Sequence, residues 1–321
     1  MGLGVRQLVL GLALLACSLL IAGVSVRQYL NAASGGLPAA PLATATVAVA
    51  PEPTATPTPT PGPTPTPPAL SARAALVMRV EDGQVLFTHD ADQPLPPAST
   101  VKILTALTVL RHARPETIVT IQPEDVVDPV EESAMGLQAG DTLTVHDLLV
   151  GLLLPSGNDA ARTLARAVGE QLDGPEGASP QERFIEAMNE LAAELGMTHS
   201  RVLTPDGEDI EGQAVSARDL ALAAKAFLEE PVLVRIASMR EATVRVGGPQ
   251  ARTLRLTNTN ALLGERGVFG VKTGTTGAAG QCLVAAWRTV DGQVYLAVVL
   301  GSQDRYADVR TLIDWVEQRE G

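Results

Sequence analysis

Ser99 and Lys102 stand three residues apart, just after two prolines (Pro96, Pro97) and at the start of a run with apolar residues at helical spacing: Val101, Leu104, Leu107 and Leu110. Ser99 is therefore expected at or beside a helix N-terminus, with Lys102 one turn on and both side chains on one face. Such a pair suits a serine nucleophile. The lysine can take the hydroxyl proton, and helix-terminal N–H groups favour the negative charge that develops on attack. Burial can push a lysine amine towards neutrality, an option arginine lacks. Taken alone, the same tetrapeptide is better described as a serine cap followed by a solvated lysine. Lysine usage adds weight: only Lys102, Lys225 and Lys272 occur among 24 basic side chains.

Three further stretches carry chemistry. Leu154-Pro155-Ser156-Gly157-Asn158-Asp159 lies at a junction between helical patterns, where Ser156 could relay a proton and Asn158 could hold Lys102 or accept a substrate amide. An asparagine-capped turn is the alternative. Gly270-Val271-Lys272-Thr273-Gly274-Thr275-Thr276-Gly277 reads as a strand entering a glycine-rich turn. There Lys272 with Thr273 and Thr275 can hold a carboxylate. Gly274 lets a substrate backbone approach closely, and an N–H near Thr275 can stabilise an oxyanion. The phosphate-loop pattern is not matched. In Leu300-Gly301-Ser302-Gln303-Asp304-Arg305, Arg305 could share a carboxylate with Lys272, or be an ordinary first-turn helix residue.

The elements that must position these residues follow from pattern. Ala74–Val80 and Gln84–Thr88 read as a hairpin around Glu81-Asp82-Gly83. Leu143–Leu154, Asp159–Val168, Pro180–Leu195 and Ser216–Leu228 read as helices. Val268–Lys272, Gln281–Thr289 and Val294–Leu300 read as strands, and Arg305–Glu317 as a closing helix. Strands at both ends of a helical middle predict a mixed α/β (α+β) fold, one sheet flanked by helices with a helical insertion. The net charge of −12 argues against nucleic acid and offers no basic surface for anionic lipid. The four histidines have no ligand spacing, so neither a metal nor another cofactor is expected. Cys17 and Cys282 are not expected to pair.

Together these motifs have an order and spacing that none has alone: S-x-x-K, then Ser-Gly-Asn, then Lys-Thr-Gly. From about residue 70 to 321 the chain resembles the serine-type D-alanyl-D-alanine carboxypeptidases, the low-molecular-mass penicillin-binding proteins. The stretches A-S-T-V-K, M-G-L-Q-A-G-D-T-L-T-V-H-D-L-L, S-G-N-D-A-A, M-N-E-L-A-A-E-L-G-M, S-A-R-D-L-A and K-T-G-T-T-G-A-A-G carry the likeness. The resemblance implies a β-lactamase-like catalytic fold and removal of the terminal D-alanine from peptidoglycan stem peptides, with β-lactams as covalent inhibitors. It further implies Ser99 as the acylated nucleophile, Lys102 as general base and Ser156 as proton relay. Lys272 would be the ligand of the substrate carboxylate, and the N–H groups of Ser99 and Thr275 the oxyanion hole. Members usually have a His-Gly-Leu-Asp-like turn where this chain has Pro205-Asp206-Gly207-Glu208-Asp209. Many also continue into a C-terminal β domain. A DD-endopeptidase, a β-lactamase using Glu208, Asp209 or Glu211 to activate water, and a non-catalytic sensor or wall-binding module are the rival readings.

Leu8–Val26 is almost wholly apolar between Arg6 and Arg27, long for a secretory signal and sufficient to span a bilayer. Residues 1–30 are expected to be a retained membrane anchor, a cleaved signal peptide being the alternative. Residues 31–69, with Pro-Thr repeats from Pro51 to Pro68, are expected to be a stiff linker. Residues 70–321 form the expected catalytic domain, held outside the cytoplasm.

Overall fold

The computed structural model describes residues 67–320. The expected anchor and nearly all of the expected linker lie outside them. The chain begins with β1 (Ala74–Arg79) and β2 (Val85–His89), paired as the expected hairpin. A 3-10 turn over Ala98–Val101 runs into α1 (Lys102–His112). Next come β3 (Ile118–Thr120) and β4 (Thr142–Thr144), a small antiparallel pair. A helical region follows: α2 (Val145–Leu153), α3 (Asn158–Gly169), α4 (Pro180–Glu194), α5 (Ala217–Leu228) and α6 (Pro231–Ala237). A hairpin of β5 (Glu241–Val246) and β6 (Arg252–Thr257) precedes the strands β7 (Val268–Thr276), β8 (Gly280–Arg288) and β9 (Val294–Ser302). Helix α7 (Arg305–Glu320) closes the described chain.

The main sheet is antiparallel throughout, in the order β2-β1-β9-β8-β7. Period-two alternation sends Leu76, Met78, Val284, Ala286, Leu296 and Val298 into one core with helices α1 to α6. Their neighbours Ala75, Val77, Leu283, Ala285, Trp287, Ala297 and Val299 form a second core with Val309, Leu312, Ile313 and Val316 of α7. Because both faces are covered, β8 and β9 read as unbroken apolar runs. Helix α1 is buried from Lys102 to Val109, so it is the element on which the helical side is assembled.

Several expected boundaries move, two of them beside the site. The helix expected over Leu143–Leu154 starts later, because Thr142–Thr144 is strand and the Thr144 hydroxyl caps α2 by accepting from Asp147 N at 3.1 Å. Strand β7 continues beyond Lys272 to Thr276, since its ladder with β8 runs on from Thr273↔Leu283 to Thr276↔Gly280. The β5–β6 hairpin and α6 were not anticipated. Half-exposed strands rich in arginine and threonine carry a weak apolar signal.

Candidate active site

Ser99 lies in the 3-10 turn and Lys102 opens α1, so one turn separates them as expected. The Lys102 amine donates to Ser99 Oγ at 2.8 Å and to Asn158 Oδ1 at 2.6 Å, and reaches Ser156 Oγ at 3.5 Å. Lys102 is wholly buried. Burial lowers its pKa from an ordinary 10.5 to about 8, partly opposed by the carboxylates of Asp206 and Asp159. Ala98, before the serine, has φ of 47°, an uncommon conformation for a residue with a side chain.

Ser156 sits in the turn between α2 and α3, also left-handed at φ 66°. Asn158 is the first residue of α3. Gly157 occupies the cap position without a side-chain bond, so the Asn158 carboxamide serves the site and not the helix end. Asp159 accepts from the backbone N–H groups of Met135, Gly136 and Leu137 at 2.8–3.0 Å, tying the Met-Gly-Leu loop to α3.

Strand β7 supplies the opposite wall. Lys272 is buried, with its amine donating to Thr273 O at 3.0 Å. Burial, and secondarily the charges of Lys102 and Arg305, hold its pKa well below the usual lysine value. Gly274 runs against the Ser99 turn: a Cβ there would lie 2.8 Å from Ser99 N and 2.9 Å from Ala98 Cβ. From the other side Gly207, at φ 90°, leaves a Cβ only 1.9 Å from Ala98 O. Arg305 opens α7 and donates to Gly274 O at 2.8 Å, Cys282 O at 3.1 Å, Gln281 Oε1 at 3.2 Å and the Thr275 hydroxyl. It therefore braces β7 as well as standing at the cleft.

The cleft, about 180 Å³, is lined by Ser99, Ser133, Ser156, Thr259, Thr273, Gly274, Thr275, Arg305 and Tyr306. Lys102 joins it through its bonds to Ser99 and Ser156, Asn158 through its bond to Lys102, and Lys272 through Thr273. All nine residues singled out from the sequence thus meet at one place. The sequence reading missed Thr259, whose hydroxyl lies 2.6 Å from that of Thr273, and Tyr306, which donates to Thr259 O at 2.9 Å. It also missed a charged group behind Asn158. Glu132 Oε2 accepts from Asn158 Nδ2 at 2.8 Å and from Arg162 Nη2 at 2.7 Å, and Arg162 Nε reaches Asp206 Oδ2 at 3.1 Å. Arg162 was findable, being four residues beyond Asn158 on the same helical face. Glu132 and Asp206 lie in loops without periodicity.

The D-alanyl-D-alanine carboxypeptidase family model matches residues 62–304. D-alanyl-D-alanine carboxypeptidase DacC of Escherichia coli is 35% identical over 263 residues, 77% of this chain and 62% of that one. A D-alanyl-D-alanine carboxypeptidase of Mycobacterium tuberculosis is 33% identical over 252 residues, covering 76% and 81%. The chain therefore spans less than two thirds of the length of its Escherichia coli relative. The crystal structure of a Streptomyces DD-transpeptidase superposes with a TM-score of 0.73 at 32% identity, over 78% of this chain and 98% of that one.

Proposed function

The chain belongs to the D-alanyl-D-alanine carboxypeptidase family, and from that premise we propose that it removes the terminal D-alanine from peptidoglycan stem peptides through an acyl-enzyme on Ser99. The observation that carries this reading is the buried Lys102 amine at 2.8 Å from Ser99 Oγ. With a pKa of about 8, a usable fraction of that amine is neutral near pH 7.

Ser99 Oγ attacks the carbonyl carbon of the D-Ala-D-Ala peptide bond as its proton passes to Lys102. The oxyanion is met by the N–H groups of Ser99 and Thr275. The tight approach of Gly274 to the Ser99 turn supports placing both donors on one point. As the C–N bond breaks, the proton moves through Ser156 to the leaving D-alanine nitrogen, leaving an ester on Ser99. Lys102 then takes a proton from water, whose oxygen attacks the ester carbon, and returns it to Ser99 Oγ. Lys272, Thr273 and Arg305 hold the substrate's terminal carboxylate. That carboxylate supplies the anion Lys272 lacks among the described residues, where its amine bonds only a carbonyl oxygen. β-Lactams acylate the same serine.

A β-lactamase role is less well supported at Asp209, which is otherwise engaged, while Glu208 is exposed at 3.7 Å from Arg162 and Glu211 is exposed. Asp209 accepts from the Thr276 hydroxyl at 2.6 Å and Ala278 N at 2.9 Å, and Asp206 pairs with Arg162. The test is D-alanine release from a pentapeptide ending in D-Ala-D-Ala. Stoichiometric release by the wild type and none by Ser99→Ala is expected, whereas release by Ser99→Ala overturns the assignment.

The same reading makes residues 1–30 an uncleaved single-pass anchor and 31–69 a stalk, with residues 70–321 as the catalytic unit outside the cytoplasm. The long apolar run Leu8–Val26 and the Pro-Thr repeats support it. Alkaline carbonate washing should leave the protein in the membrane pellet. A soluble mature form starting near Ala33 would make the segment a signal peptide.

A further inference from the structure

The Asn158 carboxamide lies between two partners of fixed polarity. Glu132, as a carboxylate, can only accept, and it takes the Nδ2 hydrogen at 2.8 Å. That leaves Oδ1 for the Lys102 amine at 2.6 Å. Glu132 itself is gripped by both terminal nitrogens of Arg162, at 2.7 and 3.3 Å. The Nε of the same guanidinium reaches Asp206, whose side chain is 2% exposed. The backbone oxygen of Asp206 is the acceptor facing Ser99 Oγ, at 3.4 Å. One side chain, with no polar contact of its own to Ser99 or Lys102, thus holds the supports of both.

We propose that Arg162 is a positioning residue for acylation: it pins Glu132 against Asn158 and Asp206 behind Ser99, so that the carbonyl oxygen of Asn158 faces Lys102. Its kinetic consequence rests on the acyl-transfer reading above, and its structural consequence does not. The charged groups acting on Lys102 are Asp206, Asp159 and Glu132, which favour the ammonium form, and Arg162, which disfavours it; the Lys102 charge in turn lowers the pKa of Lys272. Removing Arg162 exposes Lys102 to uncompensated carboxylates as well as loosening Asn158. Removing the charge of Glu132 does the electrical opposite while loosening the same carboxamide. A residue that merely stabilised the fold would produce no such opposed pair.

The test uses the full chain in detergent with carbon-13 in the lysine ε position. Lys225→Arg in the background leaves two lysine signals, and Lys102→Met assigns one of them. In Arg162→Met, Lys102 should titrate about one pH unit higher, and penicillin acylation at pH 7 should fall about tenfold, in proportion to the neutral amine lost. Arg162→Lys should restore most of the titration but not the full rate, since its single ammonium cannot grip two carboxylates. In Glu132→Gln, Lys102 should titrate lower, yet acylation should still fall, because an amide at 132 can offer Asn158 either end. Unchanged titration of Lys102 in both Arg162→Met and Glu132→Gln overturns the proposal, as does wild-type acylation in both. Should Arg162→Met fail to fold, Glu132→Gln on the half-exposed loop decides alone. A wild type that neither binds penicillin nor releases D-alanine would sink the acyl-transfer reading instead, leaving the titrations to judge Arg162.

Discussion

Leu312, on the α7 side of the central sheet, and Lys102, on the helical side, are both wholly buried, and burial has opposite consequences for them. For Leu312 it removes apolar surface from water, a gain of about 2 kcal/mol. For Lys102 it disfavours the charged form, and the drop from 10.5 to about 8 corresponds to a penalty of roughly 3 kcal/mol. The folded amine has the lower pKa, so between about pH 8 and 10.5 the folded state binds fewer protons and stability rises with pH. Below pH 8 the penalty is fully present. The α7 side packs apolar strand residues against an apolar helix stripe. The helical side encloses Lys102, Asp159, Asp206 and Lys272 along with its hydrocarbon. One face offsets the cost of burial that the other carries.

That contrast can be broken in graded steps. Ser99→Ala should reduce penicillin acylation by on the order of 10⁴-fold or more while leaving the thermal midpoint nearly unchanged; a gel of fluorescent-penicillin adducts and a melting curve read both. Lys102→Arg keeps a cation but cannot deprotonate, so acylation should fall by at least about 10²-fold. A near-normal rate in stopped-flow acylation would move the base elsewhere. Leu312→Ala should behave inversely, losing about 2–5 kcal/mol in denaturant titrations with an unchanged acylation rate at 25 °C. The mildest effect is on pH: the second-order acylation rate should rise roughly tenfold from pH 7 to 9 and level off, following the Lys102 amine. A profile flat across that range would show that Lys102 is not the group being titrated.

The sequence displayed the apolar side and the motif residues better than it displayed their supports. Strands β8 and β9 were legible because continuous apolar runs between turn residues have few other meanings, and α5 because Ser216 and Asp219 mark its cap. Ser99, Lys102, Ser156, Asn158 and Lys272 were legible because their spacing recurs in a known set. Glu132, Asp206 and Thr259 reach the site from loops, where no period announces which way a side chain points. The β5–β6 hairpin escaped for a related reason. Its strands are half-exposed, and alternation with arginine and threonine looks much like surface.

Gly207 and Gly274 press on the Ser99 turn from two sides, and neither leaves room for a Cβ. For anyone wishing to retarget the proposed activity, this divides the cleft into a fixed part and an adjustable one. The backbone frame around Ser99 is closed to side-chain variation, since even alanine at either position would collide with main-chain atoms of the turn. New substrate preference has to be written on the rim instead, at Ser133, Thr259 and Tyr306, which line the same cleft, Thr259 and Tyr306 being tied to β7 through the Thr273 hydroxyl. Libraries confined to those three positions should keep the acylation chemistry while changing which peptide enters.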